Sequence, residues 1–255
     1  MPAKSKRTKT SMSAYSVDWN VIPTTLSDNL FFGLDLDDEQ KAFRDAIWNK
    51  DKLIIYANCR AGSGKTTVAT GTAELLVKYG RYKGIVYIVA PIQENKQGYL
   101  PGTLEEKSAP YFEGFYQALV TIGVSMGASL NSNVFNQKNG SGYIETLTHT
   151  FLRGVNFENQ VVIIDEAQNF TVPELQKVLT RIHDSCKVIC IGHAGQIDIA
   201  NKQSSGFARY LEHFKGDDRV AVCELTKNHR GWISSHADKI NECKGGEPDD
   251  KQLSL

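Results

Sequence analysis

No run of eighteen or more apolar residues occurs in this 255-residue chain, so no segment is long and apolar enough to span a bilayer as a helix. The opening residues, MPAKSKRTKTSMS, lack the apolar stretch that a secretory signal requires. Net charge is missing as well, because 29 Lys and Arg offset 29 Asp and Glu. No whole-molecule field therefore draws the protein to nucleic acid or to a membrane, and any polyanion binding has to use a local patch. Cysteine is sparse: Cys59, Cys186, Cys190, Cys223 and Cys243 include no CxxC pair. That argues against a zinc site and a disulfide framework and fits a reducing, cytoplasmic setting.

The remaining composition, 41% hydrophobic, suffices for one substantial core. Residues 1–30 read as a mobile basic tail carrying Lys4, Lys6, Arg7 and Lys9, residues 31–240 as one domain, and residues 241–255 as a flexible end. Asp37 and Asp38 precede Ala42, Phe43, Ala46 and Ile47 at helical spacing, which predicts a capped amphipathic helix. Five short apolar runs then recur: Leu53 to Ala57, Ile85 to Ala90, Val161 to Ile164, Val188 to Ile191 and Val220 to Leu225. Runs this apolar, separated by helical segments, predict an α/β fold with a parallel sheet covered by helices on both faces. The Ser-, Asn- and Gly-rich stretch Gly123 to Gly142 reads as a loop or insertion.

The first strand runs into Cys59-Arg60-Ala61-Gly62-Ser63-Gly64-Lys65-Thr66-Thr67, followed by a helix face of Val68, Ala69, Ala73, Leu75 and Leu76. Strand, glycine loop and helix in that order form a P-loop: glycines let successive N–H groups converge on phosphate, and the helix adds its positive end. Lys65 is placed to reach the β- and γ-phosphates, and the Thr66 hydroxyl to ligate Mg²⁺. The usual pattern begins with Gly, and here that position is Cys59.

A second apolar strand ends in adjacent acids, VVIIDEAQN from Val161 to Asn169. Strand ends of open α/β sheets are where ligands bind. Asp165 therefore suits the metal shell, and Glu166 suits activating the water that attacks the γ-phosphate. Beyond the strand around Val188, Gln196 is positioned to sense that phosphate.

These residues resemble the PhoH-like ATPases, P-loop NTPases with a RecA-like core, over about Leu36 to Ile240. The likeness runs through ordered blocks: Leu100-Pro101-Gly102, Glu106-Lys107 and Pro110-Tyr111, then Arg153-Gly154, then Asp165 to Asn169, then Arg181, then Gln196 to Asp198. The resemblance implies a Mg²⁺-dependent ATPase related to superfamily 1 helicases, a homo-oligomeric ring such as a hexamer, and action on RNA or single-stranded nucleic acid. It also implies that Gln40 reads adenine, and that Arg230 or its rival Arg181 touches the γ-phosphate. Lys96, Tyr99, Lys107, Tyr111, Phe112 and Arg153 are candidates for stacking on and neutralising nucleic acid. Ala90 and His193 stand where the family has Arg and Asp, which implies slower hydrolysis. A second reading stays open, a nucleotide-dependent assembly module of little turnover that recruits a nuclease or replication partner. A nucleotide or sugar kinase is disfavoured, because no arginine-rich lid follows.

Overall fold

The computed structural model describes residues 18–27, 31–91, 109–132, 134–152 and 154–238. The first helix, α1 (Asp38–Trp48), starts at the expected cap: the Gln40 amide donates to Asp37 Oδ1, and the Asp37 amide donates back to Gln40 Oε1. Such a reciprocal box satisfies two of the orphan donors of a helix start. Strand β1 (Ile54–Cys59) leads through the phosphate loop into α2 (Lys65–Lys78). Then come β2 (Ile85–Val89), α3 (Glu113–Thr121), the short helices α4 (Met126–Ser129) and α5 (Val134–Asn139), and β3 (Ile144–Thr148). The second half holds β4 (Val161–Ile164), α6 (Val172–Leu179), β5 (Lys187–Gly192), α7 (Phe207–Phe214), β6 (Val220–Leu225) and α8 (Trp232–Asp238).

The six strands form one sheet in the order β3-β2-β4-β5-β1-β6, with every pairing parallel. Parallel strands expose their side chains alternately to two faces, and both faces are covered. Ile55, Ala57, Tyr87, Ile163 and Ile189 pack under α1, α2 and α3, while Tyr56, Ile88, Ile164 and Cys190 pack under α6 and α7. Every phosphate-facing loop consequently leaves the same, C-terminal, edge of the sheet.

Two expectations change. β3 is an additional strand, on the edge of the sheet, with only Ile144 and Thr148 buried. Its polar Glu145 and Thr146 left no apolar run to read. The stretch expected to be a loop contains α4 and α5, fastened by a buried amide: Asn136 Nδ2 donates to the Gly127 and Leu130 carbonyls, both at 2.9 Å. Polar bonding substitutes there for the apolar face that periodicity detects.

Packing also begins before residue 31. Leu26 is buried, Trp19 lies against Tyr79 with ring centroids 4.9 Å apart, and the Trp48 indole donates to the Pro23 carbonyl at 3.1 Å. Residues 1–17 of the expected basic tail and the expected C-terminal tail lie outside the described residues.

Candidate nucleotide site

Gly62 and Gly64 adopt φ of +74° and +77°, left-handed values that β-carbons disfavour. Each also faces a close neighbour. A Cβ on Gly62 would stand 2.8 Å from Asn228 Oδ1, and one on Gly64 would stand 2.7 Å from Gln40 Nε2. The loop thus turns tightly between α1 and the segment after β6, and α2 begins directly at Lys65.

Across from it, β4 delivers Asp165 and Glu166. In an extended strand these neighbours would point to opposite faces. Glu166 instead takes φ +51° and ψ +40°, and its N–H donates to Asp165 Oδ1 at 2.8 Å. A left-handed glutamate is strained, and such strain clusters at functional sites. Here the turn brings both carboxylates onto the phosphate loop. Lys65 Nζ donates to Glu166 Oε1 at 2.7 Å, and Thr66 Oγ1 donates to Asp165 Oδ2 at 2.7 Å.

The two carboxyls are shifted in opposite directions. Burial pushes the Asp165 carboxyl above the ordinary carboxylate range, against the pull of Lys65. Burial would raise Glu166 too, but the Lys65 ammonium and the Gln168 amide overcome it and hold that carboxyl low. Glu166 stays ionised.

Gln168 escaped the sequence reading as a site residue, although it sits inside the DEAQN segment. Its Nε2 donates to Glu166 Oε2 at 2.6 Å, and its Oε1 accepts from the His193 N–H at 3.0 Å. It ties the candidate base to the end of β5. Asn58 makes a parallel tie, accepting from the Ala194 N–H at 3.1 Å. Gln196 stands in the same turn, its N–H donating to the His193 carbonyl, with an exposed side chain.

With this geometry in view, the comparisons are decisive for kinship. The family described as PhoH-like protein matches residues 35–233. The chain belongs to the PhoH-like protein family. Protein PhoH of Escherichia coli strain K12 is 33% identical over 179 residues, which are 70% of this chain and 49% of that protein. A PhoH-like protein of Bacillus subtilis strain 168 is 34% identical over 173 residues, 68% of this chain and 52% of the other. Protein PhoH2 of the same strain is 31% identical over 203 residues, 78% of this chain and 45% of the other. The chain spans about half the length of these relatives. Among solved structures, Pif1 helicase from Candida albicans aligns at 18% identity with a TM-score of 0.40, over 85% of this chain and 46% of that one. The RecA-like assignment rests instead on the parallel sheet and its phosphate loop. The PhoH-like chain is accordingly a nucleotide-binding P-loop protein.

Within the PhoH-like site, the departure at Cys59 is accommodated by the strand without backbone strain. Its side chain is fully buried in the core beneath α2, and burial drives the thiol up to about 12. That position is ordinary strand with no need of glycine, since its φ is not positive.

Gln40 is engaged at both ends inside the PhoH-like chain: Nε2 donates to the Ser63 carbonyl at 2.8 Å and Oε1 accepts from the Asp37 N–H at 3.1 Å. Arg230 comes to the phosphate loop, its Cγ 3.1 Å from the point where a Cβ on Gly62 would lie. Its segment is pinned there by the His229 N–H, which donates to the Gly62 carbonyl at 2.8 Å.

Arg181 does not join them. It precedes β5, its carbonyl accepts from the Phe157 N–H of the segment that precedes β4 at 2.9 Å, and its guanidinium donates to the Val155 carbonyl at 3.3 Å. That is the N-terminal edge of the sheet, opposite the phosphate loop. Arg60, Ala61, Ser63 and Thr67 lie in or directly after the loop as expected, with Ser63 buried.

Of the nucleic-acid candidates, Lys96, Tyr99, Lys107 and Arg153 lie outside the described residues, as do Leu100 to Lys107 of the resembling blocks. Tyr111 is exposed, whereas Phe112 is buried against Tyr87 and Tyr116 and is a core residue. Among the described residues no helix is long and apolar enough to cross a membrane.

The donor set suits Mg²⁺. Thr66 and Asp165 offer hard oxygens, and the described residues hold no cluster of three or more His, Cys, Asp or Glu. A magnesium–nucleotide site needs no such cage, because water and phosphate fill most positions.

Proposed function

We propose that this chain is a Mg²⁺-dependent ATPase that couples hydrolysis to movement on, or remodelling of, single-stranded nucleic acid, with RNA the favoured substrate. The observation that carries the ATPase reading is the meeting of Lys65 with Glu166 and of Thr66 with Asp165, each at 2.7 Å, beside a glycine loop. The nucleic-acid half is supported by the family resemblance and by the exposed Tyr111.

In this reading the loop amides and the start of α2 clasp the phosphates, and Lys65 exchanges Glu166 for the β- and γ-phosphates. Glu166, already ionised, accepts the proton of the attacking water, oriented from behind by Gln168. The Thr66 hydroxyl and Asp165 carboxylate would hold Mg²⁺, which would supply positive charge to offset that on the transferring phosphoryl group. Arg230, exposed beside the loop, serves its own site or a neighbour's in a ring.

Phosphate release by the purified chain, with and without single-stranded RNA, tests this. Release stimulated by RNA and lost in Lys65→Ala is expected. Nucleotide binding with no release, with or without RNA, would favour the low-turnover assembly role. Absence of nucleotide binding would overturn both.

A further inference from the structure

Strand β2 reads Ile-Val-Tyr-Ile-Val, and its one polar group is the hydroxyl of Tyr87. The ring is 2% exposed and stacks on Phe115 of α3, with centroids 4.2 Å apart and planes 16° from parallel. A phenol buried this deeply is costly unless its hydroxyl is bonded. It is: Tyr87 donates to Asp165 Oδ2 at 2.7 Å.

Asp165 is thereby held at three points. Oδ1 accepts from the Glu166 N–H, and Oδ2 accepts from both Thr66 and Tyr87. Thr66 belongs to the phosphate loop, and the Glu166 N–H belongs to the strained turn of the candidate base. Both belong to segments that line the candidate nucleotide site. Tyr87 reaches the Asp165 carboxylate from a central strand, where its backbone is fixed by pairing with Ile163. Its hold on the carboxylate comes from outside both the phosphate loop and the Glu166 turn.

We infer that Tyr87 is a positioning residue for the metal-side carboxylate, keeping Asp165 aimed at the metal position through the nucleotide cycle. This rests on the Mg²⁺–ATP reading above. Hydrogen-bond partners of metal-serving carboxylates set ligand orientation, and losing one costs about 10–100-fold in metal affinity.

The test measures binding of a fluorescent ATP analogue, first in EDTA and then across a Mg²⁺ titration. Tyr87→Phe keeps the ring and removes the hydroxyl. It is expected to bind nucleotide in EDTA as wild type does, while the Mg²⁺ needed for half-maximal gain rises about tenfold or more. Phe115→Leu loosens the stack but keeps the hydroxyl, and is expected to respond to Mg²⁺ as wild type does. A Tyr87→Phe titration that overlays wild type overturns the proposal, as does an equal shift in Phe115→Leu or a loss of nucleotide binding by Tyr87→Phe in EDTA. Wild-type protein that binds no nucleotide overturns the ATPase reading along with it, an outcome distinct from failure of Tyr87 alone.

Discussion

Lys65 and Glu166, 101 positions apart in the chain, form an ion pair of 2.7 Å at the mouth of the phosphate loop. The contact joins the candidate phosphate-binding ammonium directly to the candidate base. On the proposed reading, a bound triphosphate would draw Lys65 away and free Glu166 to act as the base.

Glu166→Gln is therefore expected to bind ATP and fail to hydrolyse it. A neutral amide can still accept from Lys65 but cannot take a proton from water, and loss of a positioned general base costs about 10²–10⁴-fold in rate. Equilibrium binding and single-turnover hydrolysis measure the two quantities separately. Turnover within a few-fold of wild type would remove Glu166 from the base role.

Gln40 makes a different demand. Because both ends of its amide are spent on Ser63 and Asp37, Gln40→Ala strands a carbonyl of the phosphate loop as well as the Asp37 N–H. Leaving such groups unbonded costs about 1–3 kcal/mol, and 1.4 kcal/mol is tenfold in affinity. ATP and GTP affinities are both expected to fall about tenfold, since the loop serves phosphate and not base. A loss confined to ATP would show that Gln40 reads adenine.

For the arginines, position separates two residues that the sequence left as rivals. Arg230→Ala is expected to lower kcat about a thousandfold with ATP binding kept, as for an arginine that meets the transferring phosphoryl group. Arg181→Ala is expected to leave kcat unchanged and to cost about 1 kcal/mol of stability through the lost bond to Val155. Parallel kinetics and denaturant melts decide it. Lost turnover with full stability in Arg181→Ala would place that guanidinium in a neighbouring subunit's site.

What could be read from residues alone follows from how each signal is encoded. The phosphate loop and the Asp165-Glu166 pair are contiguous and flanked by apolar strands, so order along the chain sufficed. β1, β2, β4 and β5 were legible because both of their faces are buried, which makes each an unbroken apolar run, and β6, although an edge strand with Val222 exposed, is still mostly apolar in sequence. β3, on the opposite edge, was not, because Glu145, Thr146 and Thr148 break its apolar run. Tyr87 stayed hidden for a related reason: a tyrosine within an apolar strand looks like core packing, and only the fold shows that its hydroxyl ends on Asp165. Arg181 lay in a family block, but nothing in the linear order says which edge of the sheet a loop occupies.

The last expectation concerns stability rather than turnover. Lys187 opens β5 fully buried, and its ammonium donates to the Asn49 carbonyl at 2.6 Å, with the Lys52 carbonyl as a second partner. These bonds tie β5 to the end of α1, but burial still draws the amine down to about 7 from its ordinary 10.5. Between those values the unfolded chain binds a proton that the folded chain does not, so stability rises with pH across that window and this gain levels off above it. Wild-type Tm is expected to climb, relative to Lys187→Met, as pH goes from about 7 toward 10.5. The variant lacks the group that titrates, and its two stranded carbonyls lower Tm at every pH. Melting curves of both proteins across the window check the sign. A Tm difference that does not change with pH would mean that Lys187 keeps its proton in the folded protein.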